Sequence, residues 1–212
     1  MSSLRNVPIS LPEAKLYLDL SGIASDLREV QKLCARFLEK HAASMEPDWD
    51  DLEVLCIAAI IRYGRTFGTG VRGAVPPLMV SDLDDADQIA HPFFKNLRDK
   101  WVAHSVNSFE CNQLIVRLAP MKASGPGVVD VVVQETRVTS LGPQDMARLK
   151  LLATNLLAIV ERRIAVERVQ VTATVRAMDL CSLYALPDAL PPELPGNHVA
   201  GKQRKPQRPT IP

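Results

Sequence analysis

The stretch of this chain best suited to chemistry is residues 98–104, where Arg98, Asp99 and His104 follow one another within seven positions. An imidazole can take up or release a proton near neutral pH. A guanidinium group can hold a phosphate through two parallel hydrogen bonds. These residue types therefore suit the binding of a phosphodiester, or acid–base chemistry performed on it.

The spacing of the two basic groups restricts how they can meet. Positions six apart on an ideal helix differ by ~120° in direction. Arg98 and His104 would therefore meet if the helix loosens near Ala103, if the arginine curls round it, or if each pairs with its counterpart in a second subunit. His91 lies seven positions before Arg98 and would share its side of a continuous helix, but Pro92 predicts a break or kink at His91.

The Arg98-x5-His104 spacing, with Asp99 in the polar position after the arginine, resembles the Arg-x4–6-His motif of the HEPN superfamily. A second match, residues 62–67, is similar to the Tyr-x-Arg-x-Phe segment of helical proteins that carry a comparable stretch. The resemblance covers residues 48–180 and implies a small all-helical domain. Many HEPN proteins are metal-independent ribonucleases, toxins or abortive-infection proteins. For this chain the resemblance implies a site formed across a homodimer interface and no metal. We expect no cofactor, and a cognate antitoxin stays open as a partner.

Three further arginines are candidates for binding RNA or phosphate. Arg62 and Arg65 fall at the C-terminal end of a predicted helix, and Arg72 lies in the glycine-rich segment 68–73. That segment matches G-x-G-x-x-G, but helix precedes it and two prolines follow, so it predicts a loop and not a dinucleotide site. The alternative for Arg62 and Arg65 is that they satisfy the last carbonyl groups of their helix.

Hydrophobic periodicity predicts a mainly α fold with an inserted β-hairpin near residues 112–138. The resemblance implies that the helices form a HEPN-like helical bundle. Val129, Val131 and Val133 should form the hairpin face that packs on the bundle. The predicted helices are 12–43, a second from Asp48 as its N-cap, 81–105 with Ser81 as N-cap and Asp84 in a capping box, and 143–180.

The length of 212 residues suits one domain with a tail. We expect an N-terminal lead over 1–11, the helical domain over 12–182 and a Pro-rich, basic, disordered tail over 183–212. Apolar residues make up 47% of the chain and aromatic residues only 5%, which favours packed helices. The net charge of +1 gives no global field to attract nucleic acid, so binding to a polyanion would need a local patch.

The four cysteines are scattered and no Cys/His cluster occurs, so the sequence predicts neither a metal site nor a disulfide framework. No signal peptide is recognisable, and the longest apolar run, residues 55–61, is too short to span a bilayer. We expect a cytoplasmic protein that has free thiols and does not enter a membrane.

Three functions remain open. The first is a metal-independent endoribonuclease, as a toxin or phage-defence protein, in which His104 moves the proton, Arg98 stabilises charge on the phosphate and Asp99 orients one of them. The second is a non-catalytic module that binds RNA, a nucleotide or a protein. The third is purely structural, with His104 capping a helix and Arg98 paired with Asp99 or Asp87.

Overall fold

The computed structural model describes residues 4–68, 72–102, 110–120 and 127–189, and these residues are mainly helical with one two-stranded antiparallel sheet. The prediction of a mainly α fold with an inserted hairpin is confirmed. A 3₁₀ turn at Pro12–Ala14 leads into α1 (Lys15–Ala42), followed by α2 (Trp49–Arg65), α3 (Pro77–Ser81), α4 (Asp85–Leu97), a π-helical turn (Arg98–Val102), β1 (Glu110–Leu118), β2 (Val128–Arg137), α5 (Pro143–Arg176) and α6 (Leu180–Ala185).

The core forms where α1 packs against both α5 and α2, and α4 contacts both α2 and α5. The apolar stripe of α1 supplies much of the core, because Leu20, Ile23 and Leu27 are fully buried. The helix runs without interruption through Gly22. Burial of apolar side chains on both sides of that glycine offsets its poor helix propensity.

Helix α2 begins as the sequence predicts. The Asp48 carboxylate accepts hydrogen bonds from the backbone N–H groups of Asp50 and Asp51 at 3.1 and 3.3 Å. This cap satisfies donors that the first helical turn leaves without partners. The inner face of α2 is buried throughout; it consists of Leu52, Leu55, Cys56, Ala59, Ile60 and Tyr63.

The predicted start of the third helix at Ser81 is wrong. Ser81 is the last residue of α3, and its hydroxyl donates to the Pro77 carbonyl at 3.2 Å. Pro77 occupies the first turn of α3, where a missing N–H costs nothing. Asp84 is the true N-cap of α4, because its carboxylate accepts from the Asp87 N–H at 2.8 Å.

Of the break or kink predicted at His91, the break is wrong, because α4 continues through Pro92. Ala90 precedes the proline and Phe94 and Leu97 follow it, and all three side chains are buried. Packing on both sides of the proline therefore holds the helix together. The regular α-helix ends at Leu97, and the next five residues form the π-helical turn.

The hairpin pairs as predicted, with Leu114 opposite Val133 and Val116 opposite Val131. Its predicted orientation is wrong, because Val129, Val131 and Val133 each expose half or more of their surface. Alternating β-branched residues stabilise pairing between strands as well as burial against a core. The valine pattern therefore located the strands without indicating what lies against them.

The C-terminal part of the described chain returns to its N-terminal part. The Arg5 side chain reaches Asp188 at 2.5 Å and the Leu186 carbonyl at 2.6 Å, and the Ala189 N–H donates to the Asn6 carbonyl at 2.7 Å. Residues 190–212, which make up most of the predicted tail, lie outside the described residues. Within the described ranges, no helix has the length and apolar character needed to cross a membrane.

Candidate functional site

The three arginines proposed to bind phosphate converge on one carboxylate, that of Asp26 in α1. Arg62 Nη1 donates to Asp26 Oδ1 at 2.9 Å. Arg72 Nη2 lies 2.8 Å from Asp26 Oδ2, and Arg65 Nε lies 3.9 Å from the same oxygen. The contacts to Oδ2 are ion pairs and not directed hydrogen bonds. Residues from α1, α2 and the following loop therefore meet at one point.

Asp26 is the buried centre of this cluster, since only 4% of its surface is exposed. It lies three positions after Ile23 and four before Val30, so it shares the apolar stripe of α1. A buried carboxylate is costly unless it has cationic partners. Sequence reasoning missed Asp26, although an acid on an apolar stripe was a signal that basic partners should surround it.

The positions of Arg62 and Arg65 follow from helical geometry. They are three residues apart in the last turns of α2 and therefore project from one side of it. Their side chains reach Asp26 across the α1–α2 interface. The terminal carbonyl of α2, that of Arg65, instead accepts from Arg72 Nη2 at 3.0 Å.

Arg72 is held over α1 at a glycine. A Cβ atom at Gly22 would lie 3.1 Å from Arg72 Cδ and 3.2 Å from its Nη1. The base of the loop that carries Arg72 is closed by a backbone bond of 2.8 Å from the Val75 N–H to the Thr66 carbonyl. The Thr66 hydroxyl, which is buried, donates to the Tyr63 carbonyl at 2.7 Å. The residues that follow Arg72 are thus tied to the C-terminal end of α2.

The cluster, defined as Asp26, Arg62, Arg65 and Arg72, carries more positive than negative charge. Three guanidinium groups meet one carboxylate, which leaves two positive charges without compensation inside the cluster. The side chains of Arg62 and Arg65 remain 43% and 51% exposed. Each guanidinium has five N–H donors, so the exposed groups can donate to the oxygens of an anion while Asp26 holds them.

Arg98 lies beside the same end of α2. Its aliphatic stem passes directly over Gly64, where an added Cβ would overlap Arg98 Cγ and lie 2.8 Å from its Cβ. Arg98 Nη1 donates to Asp99 Oδ1 at 2.7 Å, and both side chains are a little over two-fifths exposed. Asp87, the other acid suggested as its partner, is buried and accepts from Asn155 Nδ2 at 2.7 Å.

A π-helical turn, Arg98–Val102, directly precedes Ala103, the position near which one of the three alternatives required the helix to loosen. Single π-helical turns are frequent at functional sites. His104 belongs to residues 103–109, which lie outside the described residues. The structure therefore locates the arginine and the acid of the predicted motif.

A second imidazole, His91, faces Tyr63 on α2. Burial, reinforced by the nearby Lys95, lowers the pKa of His91, while burial, followed by the charge of Asp87, raises the pKa of Tyr63. Tyr63 is therefore protonated and His91 neutral at pH 7. We assign the 2.8 Å contact as the phenol donating to His91 Nδ1, which leaves the ring proton on Nε2.

His91 also lines an open cleft of about 370 Å³ between α4 and the segment that follows α2. The lining residues are Phe67, Ala74, Val75, Pro77, Val80, His91 and Lys95. The Phe67 and His91 rings lie 4.4 Å apart between centroids. His91 lies seven positions before Arg98, and residues seven apart share one side of a continuous helix. This spacing was the sequence signal that pointed to His91 as a further candidate site residue.

Among the described residues, no group of three or more His, Cys, Asp or Glu side chains has a geometry suited to a metal ion. No family model, curated protein or solved structure matches the chain. The resemblance to the HEPN superfamily therefore depends on the motif from Arg98 to His104 and on the segment 62–67.

Proposed function

We propose that this protein is a metal-independent endoribonuclease of HEPN-like type that binds the RNA backbone through Arg62, Arg65 and Arg72. The observation that carries the proposal is the surplus of positive charge around Asp26. A local patch of this kind supplies the attraction for a polyanion that the net charge of +1 does not. Arginine is also the cation whose planar group matches two phosphate oxygens at once.

The proposed chemistry assigns one role to each residue of the motif. His104 removes the proton from a ribose 2′-OH, or protonates the leaving oxygen. Arg98 stabilises the negative charge that develops on the phosphate. Asp99, at 2.7 Å from Arg98, fixes the direction of that guanidinium. A homodimer would complete the site if arginine and histidine come from different subunits, and a cognate antitoxin would cover it.

The second candidate is a non-catalytic module that binds RNA through the same arginines. It is favoured by the Arg98–Asp99 ion pair, because a guanidinium already paired with a carboxylate has part of its charge neutralised. In this case the surface would bind the RNA backbone, and the RNA would remain intact.

One assay separates the two candidates. End-labelled single-stranded RNA is incubated with purified protein in EDTA, and both bound and cleaved RNA are measured. Cleavage that the His104→Ala variant loses, while RNA binding is kept, supports the nuclease. Binding without cleavage by the wild-type protein supports the binding module. RNA that is neither bound nor cleaved rejects both.

A further inference from the structure

We propose that Asp26 is the positioning residue of the RNA-binding surface, and that it arranges Arg62, Arg65 and Arg72 as a receptor for phosphate oxygens. The inference deepens the proposed function and rests on it. Asp26 itself is too buried to contact RNA. Its effect on RNA must therefore be transmitted through the three arginines.

The need for such a residue follows from electrostatics. Three guanidinium groups within 4 Å of one carboxylate group would repel one another if that anion were absent. The attraction of each cation to Asp26 offsets that repulsion in the absence of RNA, so the arginines are already gathered when a phosphate arrives. Preorganisation of this kind reduces the conformational entropy lost on binding.

The placement of Asp26 also fixes the direction of each cation. Oδ1 accepts one N–H of Arg62, and Oδ2 attracts Arg72 and Arg65. Because the carboxylate lies on the buried side of the cluster, it engages the inner edges of these groups. The exposed parts of Arg62 and Arg65 are left for a ligand that approaches from solvent.

Gly22 supports the same arrangement from α1. Its lack of a side chain allows Arg72 to lie against the helix one turn before Asp26. A large side chain at this position would displace Arg72 while leaving every charge of the cluster in place. The glycine thus offers a way to disturb the geometry without changing the electrostatics.

The first test is the Asp26→Asn variant, for which two accounts give opposite results. If the arginines act only as charges, removing an acid makes the surface more positive and RNA binds more tightly. If Asp26 positions them, the Kd for single-stranded RNA rises about tenfold. An unchanged or lower Kd in a variant that folds as the wild type does would overturn the proposal.

The salt dependence of binding gives a readout that a loss of stability would not change. For single-stranded nucleic acid, the slope of log K against log salt changes by ~0.7 for each phosphate that the protein neutralises. We expect a shallower slope for Asp26→Asn, since arginines that are no longer aligned neutralise fewer phosphates. A slope equal to that of the wild type would contradict the positioning role.

Gly22→Leu decides the matter if Asp26→Asn does not fold, because it keeps all four charges. We expect weaker RNA binding from Gly22→Leu and wild-type binding from the control Ala42→Leu. The control also introduces a leucine into α1, but at its exposed C-terminal end. Equal affinities in these two variants would overturn the proposal. Failure of the wild-type protein to bind RNA would instead reject the proposed function, and the role of Asp26 with it.

Discussion

Arg98 lies across Gly64, and this contact joins the π-helical turn to the C-terminal end of α2. The arginine of the predicted motif is therefore held through its stem, and its guanidinium remains free to pair with Asp99. The preceding residue of α2, Tyr63, contacts His91 on α4. Two successive residues of α2 thus contact two polar groups seven positions apart, one on α4 and one on the π-helical turn that follows it.

The first prediction compares two helix-internal glycines. Gly64→Ala should lower the free energy of unfolding, because the new Cβ meets Arg98 Cβ and Cγ, and overpacking costs ~1–3 kcal/mol. Gly22→Ala is the matched control, since it meets only the flexible end of Arg72. It should be neutral, or stabilising by up to ~1 kcal/mol from helix propensity. Chemical denaturation measures both, and equal effects would show that the Gly64 contact is not restrictive.

The second prediction concerns Trp101, which lies four positions after the buried Leu97 and is only 7% exposed. Trp101→Ala should lower the free energy of unfolding by ~3–5 kcal/mol, because it removes a large buried ring. Lys100→Ala, an exposed neighbour, should change it by less than ~0.5 kcal/mol. A Trp101→Ala protein as stable as the wild type, but with weakened RNA binding, would place the ring on the RNA-binding surface instead.

The third prediction is a pH dependence that originates at His91. Its pKa in the folded protein is below the ordinary value of 6.5, so the unfolded chain takes up the proton first as the pH falls. The unfolded state is then favoured, and the free energy of unfolding should decrease below about pH 6.5. His91→Gln removes the titration and should flatten this part of the curve. Parallel curves for the two proteins from pH 7.5 to 5 would exclude the contribution.

The fourth prediction tests the exposed hairpin face. Val131→Thr should change the free energy of unfolding by less than ~0.5 kcal/mol, because half of the side chain already faces solvent. Val160→Thr makes the same chemical change at a fully buried position of α5 and should cost at least ~1 kcal/mol, since it buries a hydroxyl. Comparable losses in the two variants would indicate that the hairpin packs against apolar surface.

The sequence predicted those parts of the fold that depend on local signals. The stripe of α1, the Asp48 cap and the paired strands each follow from a pattern within a few residues. Prediction from the sequence was wrong where packing between distant residues outweighs a local preference. Pro92, which locally disfavours a helix, remains within α4 because apolar side chains are buried on both sides of it. The predicted orientation of the hairpin was wrong because strand periodicity does not identify the surface that covers a strand.

The candidate site was likewise predictable only in part, because local patterns in the sequence indicate residue types but not which distant residues meet. The residue types of Arg62, Arg65 and Arg72 nominated them as cations for a phosphate, but their meeting point depends on tertiary structure. Asp26 is 36 positions from Arg62 along the chain, and no local pattern connects the two. The contacts of Arg72 with Gly22 and of Arg98 with Gly64 likewise require the helices to be packed.

The most direct test of the proposed nuclease is the rate of RNA cleavage in EDTA by four proteins: wild type, Arg98→Gln, His104→Ala and the double variant. Glutamine keeps the part of the stem that covers Gly64 and removes the charge, so the melting temperature should change little. We expect that each single variant loses cleavage and that the double variant is hardly worse, because Arg98 and His104 act as one unit. Cleavage at the wild-type rate by folded His104→Ala protein would contradict it.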